Sequence, residues 1–390
     1  MSVQDEKSSL AGTLAEALEI PLERAERLLE SKSTRLMRYR NIEYIVLRRD
    51  VGNHYEGTSV ILLPDGGYRV VEGYPHISRV LLLSRAVPRH FVDYVIVEEK
   101  MDGHNVRVIM IEGEIYALTR GGYICPYTTH RMRRTYGGKL SRLFDEVGHE
   151  AVIAGEVVGM ENPYTRYYYP EAPYWDYFIF DIFTGDNNPV PVKERRRLVE
   201  EHGLRGVPQL GVVHKDDWQT VLEIARGLET AGREGVVLKD PDYRVEPLKY
   251  TTAYINTRDI MEGMKFPFDE GHSFIFPRVL RQMFKAFEEE WDEARLREEA
   301  HRLGEAILLP AVESIKRYSR GEVLAEEFVL EFASLNELEE FISYAASLGI
   351  PITIVSIDVG DSSVKSRMLK HKKTPEHYRR ILRSGLSPLD

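Results

Sequence analysis

The sequence holds one cysteine, Cys125, so no disulfide can form within the chain and a reducing compartment is expected. Its twelve histidines show no paired Cys/His spacing, which excludes a conventional structural zinc site. No apolar run approaches the roughly 20 residues that span a bilayer. The opening stretch, MSVQDEKSSLAGTLAEALEI, lacks the basic-then-apolar order of a secretion signal, so a cytoplasmic protein without a membrane partner is expected. Glutamine is scarce, four residues against many Glu, Lys and Arg, a bias met in thermophile proteins. An excess of positive charge is missing too. At a net charge of −10, the chain is unlike proteins that coat nucleic acid by neutralising its phosphates.

What is present suits a soluble globular protein: 43% hydrophobic and 29% charged residues in 390, enough chain for two to four domains. Charge is segregated locally. His130 to Arg142 carries five Lys/Arg and no acid, and Val364 to Arg383 carries eight against one Glu. Lys285 to Glu305 opposes them with eight acids against four bases. Runs of this kind usually form solvated helical faces.

Along the chain, leucines spaced through the first 35 residues predict one or two amphipathic helices broken near Pro21. IEYIVLRRD, TSVILL and YRVVEG then read as strands, the last two flanking the PDGG turn. Segments 1–74, 75–252, 253–320 and 321–390 are the expected domains. The second is rich in short strands and predicts a mixed, mostly antiparallel sheet pair enclosing a cleft. PVKERRRLVEEHG and DWQTVLEIARGLETAG interrupt it as helices, the latter stopping at Gly232. The third segment reads as helical, the fourth as a small α/β unit with a basic tail. The fold class is therefore α+β.

The chemistry concentrates at EKMDGHNVR, Glu99 to Arg107, where a lysine ends a strand and Asp102-Gly103 turns the chain. A K-x-D-G match alone occurs in roughly one random chain in ten of this length. Here it is followed, in order, by TRGG (Thr119 to Gly122), GEVVG (Gly155 to Gly159), FIFDIF (Phe178 to Phe183), EGVVLK (Glu234 to Lys239) and PLKY (Pro247 to Tyr250). A lysine attacks only as the free amine, so a nucleophilic Lys100 needs burial and neighbouring cations. Lys239 and Lys249 are the available neighbours, and would also offset charge developing on a phosphate.

The ordered series resembles the covalent nucleotidyltransferases, the superfamily of DNA ligases, RNA ligases and mRNA capping enzymes. That resemblance implies a nucleotidyltransferase core around an ATP cleft, in which Lys100 takes AMP from ATP and releases pyrophosphate. It also implies roles for Glu156 on the ribose hydroxyls, Phe180 stacked on the base, and Glu99 and Met101 beside the adenine. Arg120 would touch the 5′-phosphate end, and Glu234 would lie near Mg²⁺ or Mn²⁺.

Two features select a branch. The fifth residue after Lys100 is Asn105, where DNA ligases and capping enzymes carry arginine and RNA ligases asparagine. Ile255 to Arg320 reads as helical, where most DNA ligases continue into an OB-fold. The chain thus resembles the homodimeric archaeal-type RNA ligases that circularise single-stranded RNA. Asn105 would then assist steps at the RNA adenylate, while Arg131, Arg133 and Arg134 would meet RNA phosphates. The helical segment, with PFDEGHSFIFPRVLRQMFKAFEEEW, would supply the dimer interface. One departure stands out. The resemblance implies two lysines separated by one residue in the final motif, but PLKYTT has only Lys249, so the second cation is Lys239 or missing. The rival readings are a DNA ligase, a capping-type guanylyltransferase and an inactive RNA-binding scaffold.

Overall fold

The computed structural model describes residues 3–270 and 272–387. Met1, Ser2 and residues 388–390, at the ends of the first and fourth expected segments, lie outside them, as does Gly271 in the expected dimer segment. The chain opens with helices α1 (Val3–Ala17) and α2 (Leu22–Glu30), separated at Pro21 as the pattern predicts. Strands β1 (Thr34–Tyr39), β2 (Ile42–Leu47), β3 (Ser59–Leu62), β4 (Tyr68–Val71) and β5 (Ser78–Arg79) follow. Next come α3 (Leu83–His90), β6 (Tyr94–Lys100), β7 (His104–Ile111), β8 (Glu114–Thr119) and α4 (Pro126–Val147). After β9 (Val152–Val158) and β10 (Asp176–Phe183), α5 (Val192–Glu201), β11 (Gln209–His214) and α6 (Trp218–Thr230) alternate. Strands β12 (Gly235–Lys239) and β13 (Leu248–Thr251) lead into α7 (Ala253–Gly263), α8 (His272–Glu288) and α9 (Glu293–Ser319). The chain ends with β14 (Ala325–Phe332), α10 (Leu335–Ser347), β15 (Ile352–Val359), β16 (Val364–His371) and α11 (Thr374–Ser384). No described helix is long and apolar enough to cross a membrane.

Two compact units divide these elements, and neither is continuous in sequence. The first takes Met1–His76, Gly103–Gly206 and Leu335–Tyr344, and holds two four-stranded antiparallel sheets, β1-β2-β3-β4 and β10-β9-β7-β8. Helices α1 and α2 bury Leu14, Leu18, Ala25 and Leu28 against Ile45, Leu47 and Val60 of the first sheet. The PDGG turn joins β3 to β4 as expected, with Leu62 opposite Tyr68. Arg107 of β7 is almost fully buried, and its guanidinium donates to the carbonyls of Gly57 at 2.8 Å and Thr119 at 3.1 Å. A charge so placed is tolerable because its two terminal nitrogens find carbonyls. Burial lowers its pKa to about 10. Within this unit α10 meets α4 through Glu340, 2.8 Å from His130 and 3.0 Å from Arg40 of the β1–β2 turn.

The second unit takes Ile77–Asp102, Val207–Ser334 and Ala345–Asp390. Its five-stranded sheet runs β11-β6-β12-β13-β5, antiparallel except for the β13–β5 pair. Alternation sorts its two faces. Val95, Val97, Val236, Leu238, Leu248 and Tyr250 share a core with Leu83, Val87, Val221 and Ala225 of α3 and α6, leaving the intervening positions for polar work. The carboxylate of Glu288 on α8 accepts from the first amides of α3, Leu83 at 3.0 Å and Ser84 at 2.8 Å, satisfying orphan donors at a helix N-terminus. The buried Lys285 bridges Glu229 at 3.0 Å and Glu289 at 2.7 Å. A three-stranded antiparallel sheet, β14-β16-β15, belongs to the same unit.

The α+β class and the mostly antiparallel sheets agree with the sequence reading. The structure corrects two local expectations. Thr34–Tyr39 is a strand, although the helical reading ran to residue 35. The basic run at 130–142 lies inside a 22-residue helix, as such runs usually do. The run from Val364 is half strand, because β16 is the central strand of its sheet.

Candidate active site

In the second unit, Lys100 is the last residue of β6, with Gly235 of β12 as its cross-strand partner and Thr251 of β13 beyond that. Gly235 holds a φ of 152°, and a Cβ there would meet the Tyr250 carbonyl oxygen at 2.1 Å, so only glycine fits. Lys100 Nζ donates to Glu234 Oε2 at 2.7 Å, with the two side chains 23% and 14% exposed. Burial pushes the Glu234 carboxyl above the usual range; the Lys100 ammonium opposes this and the nearby Asp102 reinforces it. Asp102, raised mainly by burial, accepts from Arg258 of α7 at 2.7 Å. The neighbouring Asp259 accepts from Arg278 of α8 at 2.8 Å. Met101 is buried.

The two expected cations differ. Lys239 and Glu98 are each 1% exposed and lie 3.1 Å apart, a buried pair whose acid stands two residues before Lys100. Lys249 is half-buried on β13, opposite Val237 on one side and Arg79 of β5 on the other. Arg79 donates to Thr251 Oγ1 at 2.9 Å. Glu99 points to the other side of β6, 3.4 Å from Arg233.

In the first unit, β7, β9 and β10 align Asn105, Glu156 and Phe178 in one row. Asn105 Oδ1 is buried and has no hydrogen-bond partner among the described residues, an acceptor left for a donor from a ligand. Gly103 precedes this strand because a Cβ there would meet the Val157 carbonyl oxygen at 2.1 Å. Phe180 is the extra residue of a β-bulge: Ile179 pairs with Gly155 and Asp181 with Ala154. Such a bulge re-aims one side chain, and the Phe180 ring meets Tyr74 edge-on at 5.2 Å. Arg120 is exposed on the turn after β8. Arg131, Arg133 and Arg134 already hold carboxylates: Glu161 at 2.8 Å, Glu114 at 2.9 Å and Glu337 at 2.6 Å.

The structure therefore gathers Lys100, Glu234, Lys239 and Lys249 on one unit, and Asn105, Glu156, Phe180 and Arg120 on the other. Sequence reasoning missed Glu98, Arg79 and Arg258, which reach the site through cross-strand or helix contacts. Only the alternation in VIVEEK, which places Glu98 on the same side as Lys100, hinted at one of them.

Comparison with known proteins bears on these residues. Residues 93–251 match the RNA ligase family model, and residues 262–385 match the model of the ligase Pab1020 C-terminal region. An uncharacterized protein of Methanocaldococcus jannaschii is 38% identical over 355 residues, 90% of this chain and 88% of that one. An archaeal ATP-dependent RNA ligase of known structure, solved in two forms, superposes with a TM-score of 0.89 at 36% identity, covering 97% of this chain and 99% of its own. A protein of Aquifex aeolicus named as a candidate ATP-dependent DNA ligase superposes at 0.84 with 25% identity, over 94% of this chain and 100% of that one.

Proposed function

Because this chain belongs to the archaeal ATP-dependent RNA ligase family, we propose that it joins RNA 5′-phosphate and 3′-hydroxyl ends through a lysyl-AMP on Lys100 and an RNA 5′-adenylate. The observation that carries this reading is the Lys100–Glu234 contact at 2.7 Å, at a strand end whose opposite face is packed core.

In the first step the Lys100 amine attacks the α-phosphorus of ATP. The bond to the bridging oxygen breaks, its electron pair leaves with pyrophosphate, and Nζ sheds its protons. Glu234 is placed to accept one of them, since burial has already made its carboxyl a stronger base than an ordinary glutamate. In the second step an oxygen of the RNA 5′-phosphate attacks the same phosphorus and the P–N bond breaks, restoring the lysine. In the third, the 3′-hydroxyl oxygen attacks the 5′-phosphorus, its proton is lost, and AMP departs. Lys249 offsets phosphate charge. Lys239, bound to Glu98, acts by holding β6 and β12 in register.

No group of three or more ligating side chains forms a metal cage among the described residues. The donor set instead fits Mg²⁺ or Mn²⁺ bound by Glu234 together with nucleotide oxygens and water, as Mg²⁺ commonly is. Such an ion would neutralise triphosphate charge.

Asn105 would hydrogen-bond the RNA adenylate, Glu156 the ribose, and Phe180 would stack on adenine, with Glu99 and Met101 shaping that end. Arg120 would take the 5′-phosphate. Arg131, Arg133 and Arg134 would reach RNA only by exchanging their carboxylate partners, so their contribution is the smaller. Within segment 253–320, Phe276, Met283 and Phe287 of α8 and Leu308, Leu309 and Val312 of α9 are exposed, with Phe287 at 74%, which supports a homodimer through these helices. Segments 1–74, 75–252 and 321–390 are proposed as the remaining domains, and circularisation of single-stranded RNA in the cytoplasm as the activity.

Incubation with α-labelled ATP and a divalent ion should leave an acid-stable label on the protein that Lys100→Ala lacks. Chasing with 5′-phosphorylated single-stranded RNA, nicked RNA duplex or nicked DNA should seal the first best. Preferential sealing of nicked DNA would overturn the substrate assignment, and absence of label would overturn the mechanism.

A further inference from the structure

The final motif lacks its second lysine: two residues after Lys249 stands Thr251. Lys239 does not fill the gap, because at 1% exposure it is committed to Glu98. Another cation reaches Thr251 from far away in sequence. Strand β5 runs parallel to β13 with Arg79 beside Lys249, a register locked by the Val80 amide donating to the Lys249 carbonyl at 2.8 Å. From there Arg79 Nη1 donates to Thr251 Oγ1 at 2.9 Å. Thr251 lies in a lateral row with Gly235 and Lys100, and the middle member of that row has no side chain. Cross-strand partners share a face of the sheet, so this face carries Lys100, a glycine with no side chain between, and then a guanidinium tied to the position where the second lysine is missing.

Resting on the reading of Lys100 given above, we infer that Arg79 is the second cation of the transfer site. Its guanidinium binds the α-phosphate and departing pyrophosphate oxygens of ATP while Lys100 attacks. Chemistry favours the substitution. A guanidinium stays charged in a half-buried site, and its planar fork can donate one N–H to Thr251 while presenting others to phosphate oxygens. Glu234 and Asp259 supply negative charge near it, and Arg278 and Arg281 positive charge.

The test measures single-turnover lysyl-AMP formation at saturating ATP for wild type, Arg79→Ala, and Arg79→Ala combined with Thr251→Lys, with thermal unfolding of each. Arg79→Ala should slow the step about 100-fold, the scale of losing one charge-stabilising group. Thr251→Lys in that background should recover at least tenfold, because it restores a cation at the vacant motif position from β13 itself. An anchor that merely held β5 in place would not be rescued by a lysine on another strand. A wild-type rate in Arg79→Ala, or no recovery in a folded double variant, would overturn the inference. Failure of the wild type to form lysyl-AMP at all would instead sink the reading on which it rests.

Discussion

The two units carry their polar groups in opposite ways. On the five-stranded sheet of the second unit the charges are already matched: Lys100 with Glu234, Lys239 with Glu98, Asp102 with Arg258 and Asp259 with Arg278. On the β10-β9-β7-β8 sheet of the first, the predicted ligand groups Asn105, Glu156 and Phe180 include a single charged side chain. Asn105 presents a buried acceptor with no hydrogen-bond partner among the described residues, and Phe180 sits at a bulge with its ring edge-on to Tyr74. Under the proposed function, the contrast follows from what each would bind. A polyphosphate is met by a network that exchanges partners without leaving a buried charge bare, whereas a base and ribose are met by shape and single hydrogen bonds.

The largest way to break this comparison is Lys100→Ala, which should abolish the acid-stable nucleotide label while leaving the fold intact by circular dichroism. Next is Glu234→Gln, expected to slow lysyl-AMP formation about 100-fold. Its pH dependence carries a sign. Burial raises the Glu234 carboxyl, so the wild-type rate should fall on acidification with an apparent pKa above the ordinary glutamate range, and the variant should lose that limb. Because the folded pKa is raised, the contribution of this group to stability is greatest below the unfolded value and is lost as pH rises through the folded one. At neutral pH the variant should therefore be no less stable than wild type in denaturant titration.

The Glu98–Lys239 pair sharpens the contrast through stability. Glu98→Leu strands a buried ammonium and should cost about 3–5 kcal/mol in chemical unfolding, whereas replacing both partners by apolar residues should recover most of the loss. On the other unit, Asn105→Ala should act on the RNA steps, lowering sealing of 5′-phosphorylated RNA by about tenfold, the scale of one lost hydrogen bond. Equal slowing of lysyl-AMP formation would show that Asn105 serves both units' chemistry. The smallest effect is expected for Arg133→Ala. Its guanidinium is already spent on Glu114 and the Ile115 carbonyl, so RNA binding should change less than threefold while its salt dependence stays unaltered.

Much of the fold was legible because it is written locally. Pro21 separates two helices, PDGG closes a hairpin, and Gly232 ends α6 with a φ of 71°. Thr34–Tyr39 was not legible: its arginines break the apolar alternation, and its strand character comes from pairing with Ile42–Leu47. The partners of the basic run in helix α4 were not legible, since the arginines that read as a phosphate surface are neutralised by acids from β8, the segment after β9 and α10.

Sequence alone singled out the proposed nucleophile and the proposed class of reaction. Lys100, Asp102, Glu234 and Lys249 stand in an order that chance rarely produces, and Asn105, through the resemblance, points to RNA ends. Tertiary structure alone decided which charges share a site. Arg79 and Thr251 are 172 positions apart, yet strand pairing brings them to hydrogen-bond distance. Glu98 and Lys239 meet because antiparallel β6 and β12 place them diagonally on one face. Charge interactions fall off over ångströms of space rather than positions along the chain, so the partners of a charged side chain become readable only once the strands are paired.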